Sequence, residues 1–92
     1  MTVEEFAAKV QQAEQASLIK ADLGCEANLR NAETSIKRRT KWTYVDVGYS
    51  GKYMIDKSGN IYGIKGYGVP HMGYQYGSLE NPSPRCFVGR YG

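Results

Sequence analysis

One histidine, two cysteines and nine Asp/Glu side chains are the strongest candidates for acid–base, nucleophilic or metal chemistry in this 92-residue chain. A thiol nucleophile needs a base that removes its proton, so a Cys–His pair is the first arrangement to look for. His71 sits between Pro70 and Met72, while Cys25 and Cys86 lie far apart, outside any nucleophile motif or C-x-x-C spacing. The plain reading of His71 is a loop imidazole hydrogen-bonded to nearby backbone. Asp46, Asp56 and Glu80 fall in different segments, which gives no support to the paired carboxylates that general acid–base hydrolysis uses. One histidine and scattered thiols do not make the closely spaced ligand set of a zinc site. The sequence therefore points to a non-enzymatic protein with no catalytic residue, no metal and no cofactor.

Glycines suggest a second chemistry, the cradling of phosphates. Gly63, Gly66 and Gly68 are spaced G-x-x-G-x-G, which is neither the dinucleotide fingerprint nor a phosphate-binding Walker loop. Gly51-Lys52 is followed by Tyr53 instead of Ser or Thr. The tetrad Gly63-Ile64-Lys65-Gly66 has the G-x-x-G form that clamps RNA backbone in KH domains, but there it joins two helices, and here it leaves a strand-like run.

Cations and rings offer a third. Lys37, Arg38, Arg39 and Lys41 are four cations within five positions, and Arg30 precedes them by about two helical turns. At a helix C-terminus such residues complement the negative dipole end; on an open surface they neutralise phosphates. Further along, Lys52 and Lys65 interleave with Tyr53, Tyr62 and Tyr67, and Arg85 and Arg90 stand in the tail. Flat rings beside cations suit unpaired bases, but tyrosines also pack across strands of a small sheet. Tyrosine-, glycine- and serine-rich surfaces serve protein recognition equally well. These twelve residues are the expected partner-binding set.

The elements that must position them follow from the spacing. Thr2 and Glu5 form a capping box, and Val3, Phe6, Ala7, Val10 and Ala13 then recur at helical period. A helix from Val3 to about Ala21 is expected, with Gly24 as its stop. Cys25, Leu29, Ala32 and Ile36 continue at helical spacing and predict a second helix from Cys25 to Arg39. One long helix through Gly24 is the alternative, because an interior glycine costs only about 1 kcal/mol. From Trp42 the period changes to two. Strands are expected at Trp42–Gly48, Lys52–Lys57 and Asn60–Lys65, followed by a Gly-Pro loop over Gly66–Gly73. A short strand at Tyr74–Leu79 and an edge strand within Arg85–Tyr91 would complete the sheet. The expected fold is α+β: a helix or helical pair, residues 1–40, packed on an antiparallel sheet of three to five short strands, residues 41–92, as one domain.

Bulk composition narrows the function class. A hydrophobic share of 41% fits a folded domain and not a disordered chain. A net charge of +3 is mildly basic, compatible with a polyanionic partner and opposed to DNA mimicry. No apolar run approaches the length of a membrane span, and no signal segment is evident, so an intracellular, cytoplasmic chain with free thiols is expected.

The run Val47-Gly48-Tyr49-Ser50-Gly51-Lys52-Tyr53-Met54-Ile55, then Gly59 to His71 and Tyr76-Gly77-Ser78-Leu79, carries a GKYM…GxIYGIKxYG…YG[ST]L pattern. This pattern resembles small, uncharacterised phage and prophage accessory proteins over about a third of the chain. The resemblance brings no catalytic or ligand residue with it. It implies a viral accessory protein in a bacterial cell, of the kind that blocks a host machine; anti-CRISPR proteins have about this length. The expectation is a non-enzymatic binder that blocks a host protein or ribonucleoprotein, such as a CRISPR effector, near its guide RNA or nucleic-acid groove. A stand-alone RNA- or DNA-binding regulator is the alternative, and a homodimer through exposed tyrosines suits so small a domain.

Overall fold

The first turn of helix α1 (Val3–Lys20) is set by the capping box expected from Thr2 and Glu5. The Glu5 amide donates to Thr2 Oγ1 at 3.1 Å, and the Thr2 amide donates to Glu5 Oε1 at 2.9 Å. The helix buries Phe6, Ala7, Val10 and Ser17, which share one face. It stops before Gly24. Asp22 takes the left-handed conformation at φ 61°, its amide donates to Ile19 O at 3.1 Å, and the Leu23 amide donates to Leu18 O at 2.8 Å. This is a Schellman ending with aspartate in the place usually held by glycine.

A computed structural model describes residues 1–66 and 68–89. The elements are α1, α2 (Glu26–Asn31), then strands β1 (Thr34–Arg38), β2 (Thr43–Val47), β3 (Ser50–Ile55), β4 (Asn60–Gly66) and β5 (Val69–Ser78), and a 3-10 helix, Pro84–Phe87. The strands form one five-stranded antiparallel meander in sequence order, and α1 packs on it in an α+β fold.

Three expected elements are corrected. The second helix does not run from Cys25 to Arg39; it ends at Asn31, and Thr34–Arg38 is the edge strand β1. Thr34, Ile36 and Arg38 alternate with Ser35 and Lys37, and pairing Thr34 with Val47 through to Arg38 with Thr43 satisfies a ladder that a helix would forgo. The expected Gly-Pro loop is short, because Val69–Gly73 already belongs to β5. The tail within Arg85–Tyr91 supplies no strand among its described residues; Pro84–Phe87 is a 3-10 turn capped by Ser83.

The core lies between α1 and one sheet face, where Phe6, Ala7 and Val10 meet Val45, Tyr53, Ile55, Ile61 and Cys86. Phe6 stands edge-on to Tyr53 at 5.4 Å and to Phe87 at 5.7 Å between centroids, so the 3-10 turn closes one end of the core. Met54 is also fully buried yet lies outside this cluster. Strand alternation turns it to the far face, between its Cα partners Tyr44 and Tyr62.

Width explains the rest. Five strands at about 4.8 Å spacing span roughly 19 Å, whereas one helix is only about 10–12 Å across. Helix α1 lies over β1 and against the 3-10 turn, which leaves the β4–β5 side of the same face, among the described residues, with the 3-10 turn beside it but no α-helix.

Candidate partner-binding surfaces

The twelve residues expected to meet a partner divide into three groups. The first surrounds the β1–β2 connection, where the Arg39 amide donates to Trp42 O at 2.8 Å and closes the turn. Arg39 and Lys41 are exposed there, and neither forms an ion pair among the described residues. Lys37 precedes them on β1, with Nζ 3.7 Å from the buried Asp46 carboxylate. Alternation places Lys37 on the sheet face opposite α1, and Trp42, Tyr44 and Tyr62 share that face. Trp42 and Tyr62 meet edge-on, with centroids 5.8 Å apart. Among the described residues no helix covers this face; its own rings cover Met54.

A second group lies on the α1 side, toward the β5 edge. Lys52 is the extra residue of the bulge that shifts the β2–β3 register between Val45 and Asp46. Its Nζ lies 4.0 Å from Glu14 Oε1 and 6.0 Å from the Tyr53 ring centroid. Arg85 extends from the 3-10 turn, with its guanidinium 5.1 Å from the Tyr76 centroid. Lys52, Tyr53 and Arg85 thus meet around one groove, with His71, Tyr74 and Tyr76 completing it. Tyr53 itself serves the core. It is only 3% exposed, and its hydroxyl donates to Cys86 O at 3.4 Å, so of its two expected roles, stacking on a partner or packing across strands, the ring takes packing. Burial first, and then the neighbouring Cys86 and Tyr76, push its phenol well above the usual tyrosine range.

The remaining residues stand apart. Arg30 pairs with Glu26 within α2, at 3.0 Å. It precedes the start of β1, so a strand of about 13–17 Å separates it from the Arg39 turn, and it does not extend that cluster. Arg38 points to the α1 side and binds Glu4 Oε2 at 2.6 Å. Glu4's backbone amide and then Arg38 hold the Glu4 carboxyl below its ordinary range. Lys65 is the penultimate residue of β4, at the opposite end of the meander from the β1–β2 turn. Tyr67 and Arg90 lie outside the described residues.

Among the described residues no group of three or more His, Cys, Asp or Glu could hold a metal ion. Cys25 is exposed, Cys86 is buried, and both are free thiols. The Asp56 carboxylate holds its own β3–β4 turn, accepting from the Ser58 and Asn60 amides at 2.9 Å each. No described helix is long and apolar enough to cross a membrane.

Trp42 and Tyr44, like His71, Tyr74 and Tyr76, were not among the expected contact residues. The period-two pattern at Trp42–Gly48 was the available signal for the first pair. The second set depends on irregular β4–β5 pairing, which has no simple sequence signature. No protein-family model matches the chain, and comparison with curated proteins and with solved structures finds no match either.

Proposed function

We propose that the chain is a non-enzymatic binding protein that engages a host ribonucleoprotein through the β1–β2 turn and the ring-bearing face beside it. The observation that carries this reading is Arg39 and Lys41, exposed and outside any ion pair among the described residues, next to the Trp42–Tyr62 pair. Cations at a projecting turn suit phosphates or acidic side chains. Half-buried aromatic rings beside them supply contact area at low entropic cost. The resemblance to phage accessory proteins adds the biological setting, that of an inhibitor of a host assembly, with a CRISPR effector as the leading candidate.

Affinity capture from bacterial lysate, with and without RNase, tests this reading. The wild type is expected to retain ribonucleoprotein subunits, and Arg39→Glu/Lys41→Glu and Trp42→Ala are expected to lose them. Recovery of no ribonucleoprotein subunit under either condition overturns the proposal. A stand-alone nucleic-acid binder would instead bind purified RNA or DNA with affinity falling steeply in salt, by a log–log slope of about 0.7–0.9 per phosphate neutralised.

A further inference from the structure

The groove between the 3-10 turn and β5 has a chemistry unlike the rest of the surface. It has a volume of about 380 Å³, near the lower end of the roughly 300–1,000 Å³ typical of ligand pockets. Lys52, His71 and Arg85 line it, no carboxylate does among the described residues, and Tyr74 and Tyr76 form its aromatic wall. The nearest acidic partner is Glu14, at the 4.0 Å limit of an ion pair with Lys52.

Two of the three basic groups, Arg85 and His71, are uncommitted among the described residues. Arg85 makes no ion pair among the described residues. Its guanidinium carbon lies over the Tyr76 ring, 5.1 Å from the centroid, and the guanidinium's N–H fork is the group that grips phosphate or carboxylate with two hydrogen bonds. His71 Nδ1 is buried without a hydrogen-bond partner among the described residues. It packs so closely over Gly73 that a Cβ there would come within 3.4 Å of it.

The ring wall is equally specific. Between Tyr62 and Gly63 on β4, the paired residue on β5 jumps from Gln75 to His71, so Met72-Gly73-Tyr74 bulges from the edge. Tyr74 is half exposed as a result, with its ring 4.5 Å from that of His71. Gly63 keeps the floor low: a Cβ there would meet Tyr76 Cε2 at 3.1 Å.

We infer that this groove binds a single nucleotide unit, its phosphate between Lys52 and Arg85 and its base against Tyr74. Phosphate and flat ring in one ligand match the two halves of the lining: paired cations for the anion, an exposed phenol for stacking. A free mononucleotide and the phosphorylated end of an RNA strand present the same unit. The site does not depend on the β1–β2 turn, so it stands or falls separately from the proposed function.

Titration of the full chain with 5′-AMP, adenosine, inorganic phosphate and a 5′-phosphorylated RNA trimer, followed by ¹H–¹⁵N NMR, tests it. Saturable shifts at Lys52, His71, Tyr74 and Arg85 are expected with 5′-AMP or the trimer, and the tighter of the two identifies the source. Adenosine and phosphate alone should bind at least about tenfold more weakly, since each lacks half of the contacts. Lys52→Ala and Arg85→Ala should each weaken binding about tenfold or more, and Arg85→Lys, which keeps the charge but not the fork, should fall between. Should Arg85→Ala fail to fold, Lys52→Ala and Arg85→Lys decide. The inference is overturned if neither 5′-AMP nor the trimer gives saturable shifts at millimolar concentration. Unchanged affinity in the folded variants overturns it equally.

Discussion

Cys86 and Cys25 share a side chain and almost nothing else. Cys25 stands exposed at the N-cap position of α2 without a side-chain capping bond, whereas Cys86 is 3% exposed on the inner side of the 3-10 turn, with Sγ 3.7 Å from the Tyr76 carbonyl. Burial pushes the Cys86 thiol up, and the thiolate is the form that reacts. A disulfide reagent should therefore label one thiol per native chain quickly and the second only after unfolding; two equally fast thiols would contradict the burial. Tyr53 and Cys86 also set an alkaline limit. Both are neutral when protonated and both have raised folded-state values. The stability they contribute is whole below their ordinary values, about 8.5 for thiol and 10 for phenol, and is lost as pH rises toward the folded-state values. Urea midpoints should fall above pH 9 in the wild type and fall less steeply in Tyr53→Phe, which also loses about 1 kcal/mol at neutral pH with its hydrogen bond to Cys86 O. Asp56 sets the acid limit. Burial alone would raise its carboxyl, but hydrogen bonds from Asn60, Ser58 and Gly59 together hold it below the usual range. Its contribution is present above the ordinary aspartate value of about 3.9 and disappears as pH falls through the folded-state value. Urea midpoints measured from pH 5 down to pH 2 should decline more in the wild type than in Asp56→Ala.

Elements differ in how much of their cause is local. Helix α1 was legible because the Thr2–Glu5 box and the Phe6/Ala7/Val10 spacing lie within its own residues, and strands β2 to β4 because their alternation does too. Strand β1 was not. Leu29, Ala32 and Ile36 satisfy a helical period, and what turns Thr34–Arg38 into a strand is its pairing with β2, reached through a break at Ala32–Glu33. Gly48 fixes that break. Its amide donates to Glu33 O at 2.9 Å, it sits at φ 60°, and a Cβ would run into Asn31 O. The two turns are locked together by one residue without a side chain. Gly48→Ala should cost about 1–3 kcal/mol, read as a lower urea midpoint, with earlier amide exchange in β1 than in β4. A cost no greater than that of an exposed surface substitution would show that β1 and α2 settle independently of the β2–β3 turn. The candidate surfaces were partly legible for the same reason. Arg39 and Lys41 were found as a charge run, but their setting was misread as a helix end, and the Lys52–Arg85 groove brings together residues 33 positions apart in sequence.

At the scale of the whole molecule, one helix too narrow for a five-stranded sheet leaves two surfaces of different character. The face opposite α1 carries Lys37, Trp42, Tyr44 and Tyr62 beside the Arg39–Lys41 turn, and among the described residues it closes over Met54 without another layer. The uncovered part of the α1 side carries Lys52, His71, Tyr74 and Arg85. The sheet stands between them, and residues with no shared partner usually contribute additively. Arg39→Glu/Lys41→Glu should therefore abolish capture of a ribonucleoprotein while leaving the 5′-AMP affinity of the groove within about twofold. Lys52→Ala should do the reverse. The four-way comparison of wild type, each variant and their combination measures the coupling directly. Near-zero coupling makes these two independent sites on one small scaffold. If the turn variant instead removed nucleotide binding, the two surfaces would have to be one continuous path, with a strand of nucleic acid crossing the β5 edge from the groove to the rings. That outcome would also demand that one RNA molecule protect Tyr74 and Trp42 together from chemical labelling.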